Sequence, residues 1–194
     1  MSDDARFDPT ERSEYELTRS ANIIVPMPPL RKARICGALA LLGSLAAPLV
    51  ATLPAAVREA NFAGPPAATP LGVAAVALAG TVAAGLAGLG LVALHWRLVR
   101  GPEPTDDAVW SFLAVEDALT GIGFITGGLG VGVGLALLAS GHWGVEALAG
   151  LRRNGVEPYL SVSTVPVTPR LTSAVGLVAG LAVLAATVVA VDSE

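Results

Sequence analysis

The sequence predicts an all-α fold, an integral membrane bundle of four transmembrane helices (residues 35–194) behind a disordered and interfacial acidic tail (residues 1–34). Composition is the first ground: 53% hydrophobic residues, only 14% charged residues and a mean hydropathy of +0.65 suit a chain solvated by lipid. Second, residues 35–57, 71–96, 118–145 and 171–191 contain no Asp, Glu, Lys or Arg. Each run reaches the roughly 20 apolar residues that cross a bilayer. Third, Trp96, Trp110 and Trp143 flank these runs, where aromatic rings settle at the water–lipid boundary. Inside hydrocarbon every backbone N–H and C=O must be satisfied locally, and the runs lack strand-like alternation, so they are read as helices.

Residues 1–20 hold many acids and arginines and almost nothing apolar, so they cannot bury enough surface to fold. The next stretch, ANIIVPMPPLRKAR, carries Pro26, Pro28 and Pro29, which predict an irregular interfacial segment rather than a helix. Because the apolar run starts after residue 34, the layout is not that of a cleavable signal peptide, and the first span is expected to stay as an anchor. Within that span, Gly37, Ala40, Ser44, Ala47 and Ala51 form a small-residue stripe suited to close helix contact. Pro48 removes one i to i−4 hydrogen bond and predicts a kink near Ser44 to Pro48. Gly80, Ala84 and Gly88 repeat the small stripe on the second span, which ends at the interface in His95-Trp96-Arg97.

Thr105 with Asp106 and Asp107 reads as a helix start, and residues 108–115 as an apolar lead-in lying flat at the interface before the third span turns inward. That third span, from Glu116 to His142, is expected to be central. Gly123, Gly127, Gly130 and Gly134 fall at i, i+4, i+7 and i+11 on one face, while Gly121, Gly128 and Gly132 expose backbone on another. Asn154-Gly155 reads as a left-handed helix stop, and residues 156–170 as an extended surface loop or short edge strand. Gly176 and Gly180 give the fourth span a GxxxG packing signal.

Positive charge near span ends stays cytoplasmic. Arg31, Lys32 and Arg34 against Arg58 place the N-terminus on the cytoplasmic side of the cell membrane, with Arg97 and Arg100 on the same side. Arg152, Arg153 and Arg170 then fall outside, which keeps open a five-span alternative with two passes turning near Gly127-Gly128. That alternative would bring Glu116 and Asp117 toward mid-membrane at a cost of about 2.5 kcal/mol or more for an acid, so four spans are preferred.

Glu116 and Asp117 are the candidate ion- or substrate-binding residues, since ionisable groups at a span entrance can attract cations or relay protons. Arg97 and Arg100, expected on the same side, can neutralise them, and with the lead-in helix lying flat the acids would face headgroups and water. His95 and His142, the two histidines, are placed at opposite ends of the bundle and so do not share a metal or haem. Cys36 is a packing residue, and one cysteine forms no intrachain disulfide. Ser44, Thr81, Thr120, Thr126 and Thr187 lack a paired base, and no P-loop, zinc pair, nucleophile elbow or dinucleotide fingerprint is present. No catalytic residue, metal or cofactor is therefore predicted. Basic residues do not cluster, so nucleic acid is not an expected partner.

Eleven arginines against one lysine, an acidic N-terminal stretch, and spans of Ala, Gly, Val and Leu resemble the membrane proteins of salt-loving archaea. The resemblance is one of composition and carries no motif, so it implies a kind of source and no activity. Two functional readings remain. One is a structural or accessory subunit whose glycine faces pack on partner helices, in a homo-oligomer or a larger membrane complex in the lipid bilayer. The other is a small oligomeric channel or transporter with Glu116 and Asp117 at its mouth.

Overall fold

The computed structural model describes residues 22–101, 104–161 and 166–191, and these contain helices and no strand. Disorder expected in residues 1–20 lies outside the described residues. Helix α1 (Pro29–Leu42) passes through a 3₁₀ turn (Gly43–Leu45) into α2 (Ala46–Ala51). After α3 (Ala55–Asn61) and a 3₁₀ turn (Pro66–Ala68) comes the long α4 (Gly72–Arg100). Helix α5 (Asp106–Gly121), a π-helical segment (Ile122–Gly127) and α6 (Gly128–Ala139) follow in one line, closed by a 3₁₀ turn (Ser140–Trp143). Short α7 (Val145–Arg153) and then α8 (Pro169–Val191) complete the order. Four stretches, Pro29–Ala51, Gly72–Arg100, Ala108–Trp143 and Pro169–Val191, are long and apolar enough to cross a bilayer, which makes this a multi-pass membrane protein.

The first helix begins earlier than the prolines suggest. Pro29 occupies its first turn, where a missing N–H costs nothing because that donor has no helical partner anyway. Lys32 is thereby wound into α1 instead of lying on the bilayer surface. Ahead of Pro48 the helix tightens into its 3₁₀ turn, in the place a kink is expected. There the Ala47 N–H crosses to α8 and donates to Ser173 Oγ at 2.8 Å.

The lead-in of the third crossing does not lie flat. The last residues of α5 keep right-handed helical dihedrals into the π-helical segment, so residues 108–143 form one continuous rod with no turn near Gly127-Gly128. A two-pass arrangement of this stretch is thus replaced by a single crossing. Thr105 stands at the N-cap position of α5, but its side chain makes no capping hydrogen bond.

Helix α4, not the third crossing, is the centre of the bundle. Half of its apolar window is buried, against 28% for the third and fourth crossings. A Cβ added to Gly80 would lie 2.7 Å from Gly130 Cα, so the two backbones touch. Along the same seam Gly123 meets Cys36 and Ala87, Gly127 meets Ala84, and Gly134 meets Ala77. On α8, Gly176 abuts the backbone at Gly43 and Ser44, and Gly180 abuts Leu41. The second glycine face of the third crossing has no such neighbours among the described residues: Gly121 and Gly132 have nothing within 4 Å of an added Cβ, and Gly128 only Leu39 at 3.9 Å. One thin face is packed and the other looks outward.

At the end opposite the N-terminus of α1, the segment expected as a surface loop or edge strand turns inward. Tyr159 and Val167 are buried among Val50, Leu53, Leu71 and Leu138. Tyr159 Oη donates to Leu138 O at 2.8 Å and accepts from Gly141 N at 2.9 Å. Burial pushes its phenol pKa up, so it remains a donor. Amides at the start of α4, Leu71 N and Gly72 N, donate to Val167 O and Leu160 O, filling donors that a helix N-terminus leaves open. Helix α7 ends as expected at Gly155, whose φ of 78° is left-handed. Bonds from Val156 N to Leu151 O and from Gly155 N to Arg152 O complete a Schellman stop.

The two glycine faces predict opposite responses to bulk. Gly130→Leu, whose side chain would enter the α4 backbone, should lower folded yield and destabilise by at least the roughly 1–3 kcal/mol of an overpacked core. Gly132→Leu should leave the detergent-solubilised monomer unchanged in gel filtration and thermal melting.

Candidate functional site

The buried face of α5 is a stripe: Val109, Leu113, Glu116 and Thr120 follow at i, i+4, i+7 and i+11 and continue into Gly123 and Gly127. Glu116 is therefore on the packing side of its helix. Opposite it, the first turn of α1 turns Lys32 inward beside buried Leu30, Ala33 and Cys36. Lys32 Nζ lies 2.7 Å from Glu116 Oε1, and both side chains are 0% exposed. A charge-assisted hydrogen bond thus ties the first crossing to the third.

This arrangement corrects the sequence expectation about the acids. Glu116 is neutralised by Lys32, not by Arg97 or Arg100. Arg100 instead lies over the Trp96 ring, 5.4 Å from its centroid, and Arg97 is exposed. Glu116 and Asp117 stand on different faces of α5. Successive helix residues diverge by about 100°, and Asp117 is only half-buried, with its Oδ1 sheltered and making no hydrogen bond among the described residues.

Burying two charges in an apolar surround carries a desolvation penalty of several kcal/mol per ion, which mutual attraction offsets when geometry is good. The same rule makes the pair asymmetric. Replacing both partners with apolar groups can be neutral, whereas removing one strands the other.

Other candidates are placed apart. His142 sits in the turn after α6 with a ring nitrogen 3.0 Å from Leu49 O, while His95 lies near the C-terminal end of α4 at the other end of the bundle. Among the described residues no group of three or more His, Cys, Asp and Glu is placed to hold a metal. Cys36 is buried and packs against Gly88 and Gly123. Thr81, Thr120 and Thr187 return their hydroxyls to their own helices, on Ala77 O, Glu116 O and Leu184 O. Thr172 reaches across instead and donates to Ala74 O on α4 at 3.0 Å.

Lys32 is the residue that sequence reasoning left out of the site. Two signals point to it. It is the one lysine in a chain with eleven arginines, a compact point charge on a flexible four-carbon stem. It also stands four residues before Cys36, on the inner stripe of α1.

No known protein family, curated protein or solved structure matches the chain.

Lys32→Met should destabilise by about 3–5 kcal/mol, the cost of a buried charge left without its partner. Asp117→Asn, on the neighbouring face, should change stability by no more than about 0.5 kcal/mol. Unfolding in mixed detergent and dodecyl sulfate micelles measures both. Equal losses would mean that Glu116 is not held by Lys32.

Proposed function

We propose that the chain is a structural or accessory membrane subunit and that the outward face of its third crossing receives a helix of a partner. The observation that carries this reading is the second glycine face. Gly121 and Gly132 are open above the backbone, while Ile125 and Leu129 beside them are each 63% exposed. In lipid, helices associate through close backbone approach rather than through the hydrophobic effect, so an unfilled glycine face is a place where a second helix gains contact.

The conduit alternative drew on a fixed negative charge at a path mouth. With Glu116 paired to Lys32 that charge is cancelled inside the protein, and Asp117 alone does not build a cation site. The proposed subunit has no enzymatic chemistry of its own. Its N-terminus is placed in the cytoplasm on the strength of Arg31, Lys32, Arg34, Arg97 and Arg100 at one end, against Arg58, Arg152, Arg153 and Arg170 at the other.

A photocrosslinking side chain at Leu129 in native membranes should give a discrete adduct, whose mass distinguishes a second copy from a different partner. The same group at Val178, exposed on α8, should give none. Equal yields at the two positions would contradict the reading, as would acid-dependent sodium, potassium or proton flux from the purified chain in liposomes. Thr105→Cys should label only from the cytoplasmic side.

A further inference from the structure

The outer side of α1 carries a second pattern, distinct from the glycine faces. Arg31, Ile35, Ala38, Leu42 and Leu45 fall at i, i+4, i+7, i+11 and i+14, so one stripe runs from a cation into apolar surface. Arg31 and its neighbour Arg34 are exposed, and among the described residues neither meets a carboxylate. Beneath them lies a groove of about 570 Å³, lined by Ile35, Ala38, Leu39, Leu42 and Leu45 of the first crossing and by Leu184 of α8. Ala38, small and exposed between two larger side chains, is one of the residues that line it.

We propose that this groove binds one anionic phospholipid, its phosphate on Arg31 and Arg34 and an acyl chain along Ile35 to Leu45. Length decides in favour of a lipid. The helical path from Ile35 to Leu45 rises by roughly 15 Å, which is the depth of one leaflet in a hydrocarbon core of about 30 Å. The cations sit at the shallow end of the groove, where a headgroup lies when its chain fills the rest. Guanidinium groups suit phosphate oxygens through paired N–H donors. The net charge of the ligand follows from Lys32: its ammonium is committed to Glu116, so the outward charge is that of the two arginines, and it selects a lipid with net negative charge over a zwitterionic one. Free phosphate would use the arginines but leave the groove unfilled.

The test uses the full chain, delipidated in detergent and titrated with phosphatidylglycerol, with phosphatidylcholine of the same acyl chains, or with inorganic phosphate. Bound lipid is counted by native mass spectrometry and the thermal midpoint is followed in parallel. One phosphatidylglycerol per chain should bind and raise the midpoint, phosphatidylcholine should bind roughly 30-fold more weakly, as expected for two basic side chains near an anionic headgroup, and phosphate should do neither. Arg31→Gln with Arg34→Gln should erase the preference between the lipids. Ala38→Trp, or the smaller Ala38→Leu should the first not fold, should weaken phosphatidylglycerol binding while both arginines remain. Equal binding of the two lipids overturns the proposal. So does unchanged phosphatidylglycerol binding when the groove is filled, which would reduce the effect to general surface attraction, or a phosphate-induced shift equal to that of the lipid.

Discussion

A buried ammonium–carboxylate contact between Lys32 and Glu116 is the constraint on which the arrangement of helices depends. Most other contacts in the bundle are between alanine, glycine, valine and leucine, and lipid tails offer those side chains much the same company as a neighbouring helix does. Smooth faces of this kind hold helices together but discriminate weakly between one vertical register and the next. A 2.7 Å contact between fully buried charges does discriminate, because sliding either helix by one turn, about 5.4 Å, would separate them in a medium where neither charge is tolerated alone. Two neutral contacts do the same for the fourth crossing: Thr172 on Ala74 O fixes α8 against α4, and Ala47 N on Ser173 fixes it against the first crossing.

Around that register the glycine seams set distance. Where Gly80 faces Gly130, and Gly176 faces the Gly43–Ser44 backbone, side chains are absent and main chains touch, a contact available only to helices without Cβ atoms at those positions. Helix α4 has glycine contacts on more than one side, Gly80 against the Gly130 backbone and Gly88 against the side chains of Val183 and Cys36, and it is the most buried crossing. The third crossing has spent one of its two glycine faces on α4 and holds the other outward. The proposed partner site is that unused face.

Much of the architecture was legible from charge-free runs alone, because a bilayer leaves an apolar run of more than 20 residues few structures besides a helix. The Gly155 stop and the distortion ahead of Pro48 also follow from local chemistry. Three features did not. The centre of the bundle is not legible from glycine content, which shows where a helix can be approached, not how many neighbours approach it. The inward turn at Tyr159 depends on a distant acceptor, Leu138 O, and on the shape of the Gly141 turn. Finally, Pro26, Pro28 and Pro29 make the stretch around Lys32 read as irregular, although Pro29 is tolerated in the first helical turn and Lys32 lies in the helix that follows. Extending the Gly123 and Gly127 stripe backward would have placed Glu116 on the packing face and called for a cation opposite.

The claim that this pair sets the register is tested most directly by exchanging its charges. In a chain carrying Lys32→Glu together with Glu116→Lys the attraction is preserved, and a carboxylate in the first turn of α1 is also favoured by the helix dipole. Such a chain should regain most of the stability lost by Lys32→Glu alone when unfolded in mixed micelles. If the exchanged chain were no more stable than the two single variants combined, the charges would not be coupled and the register would have to come from glycine packing alone.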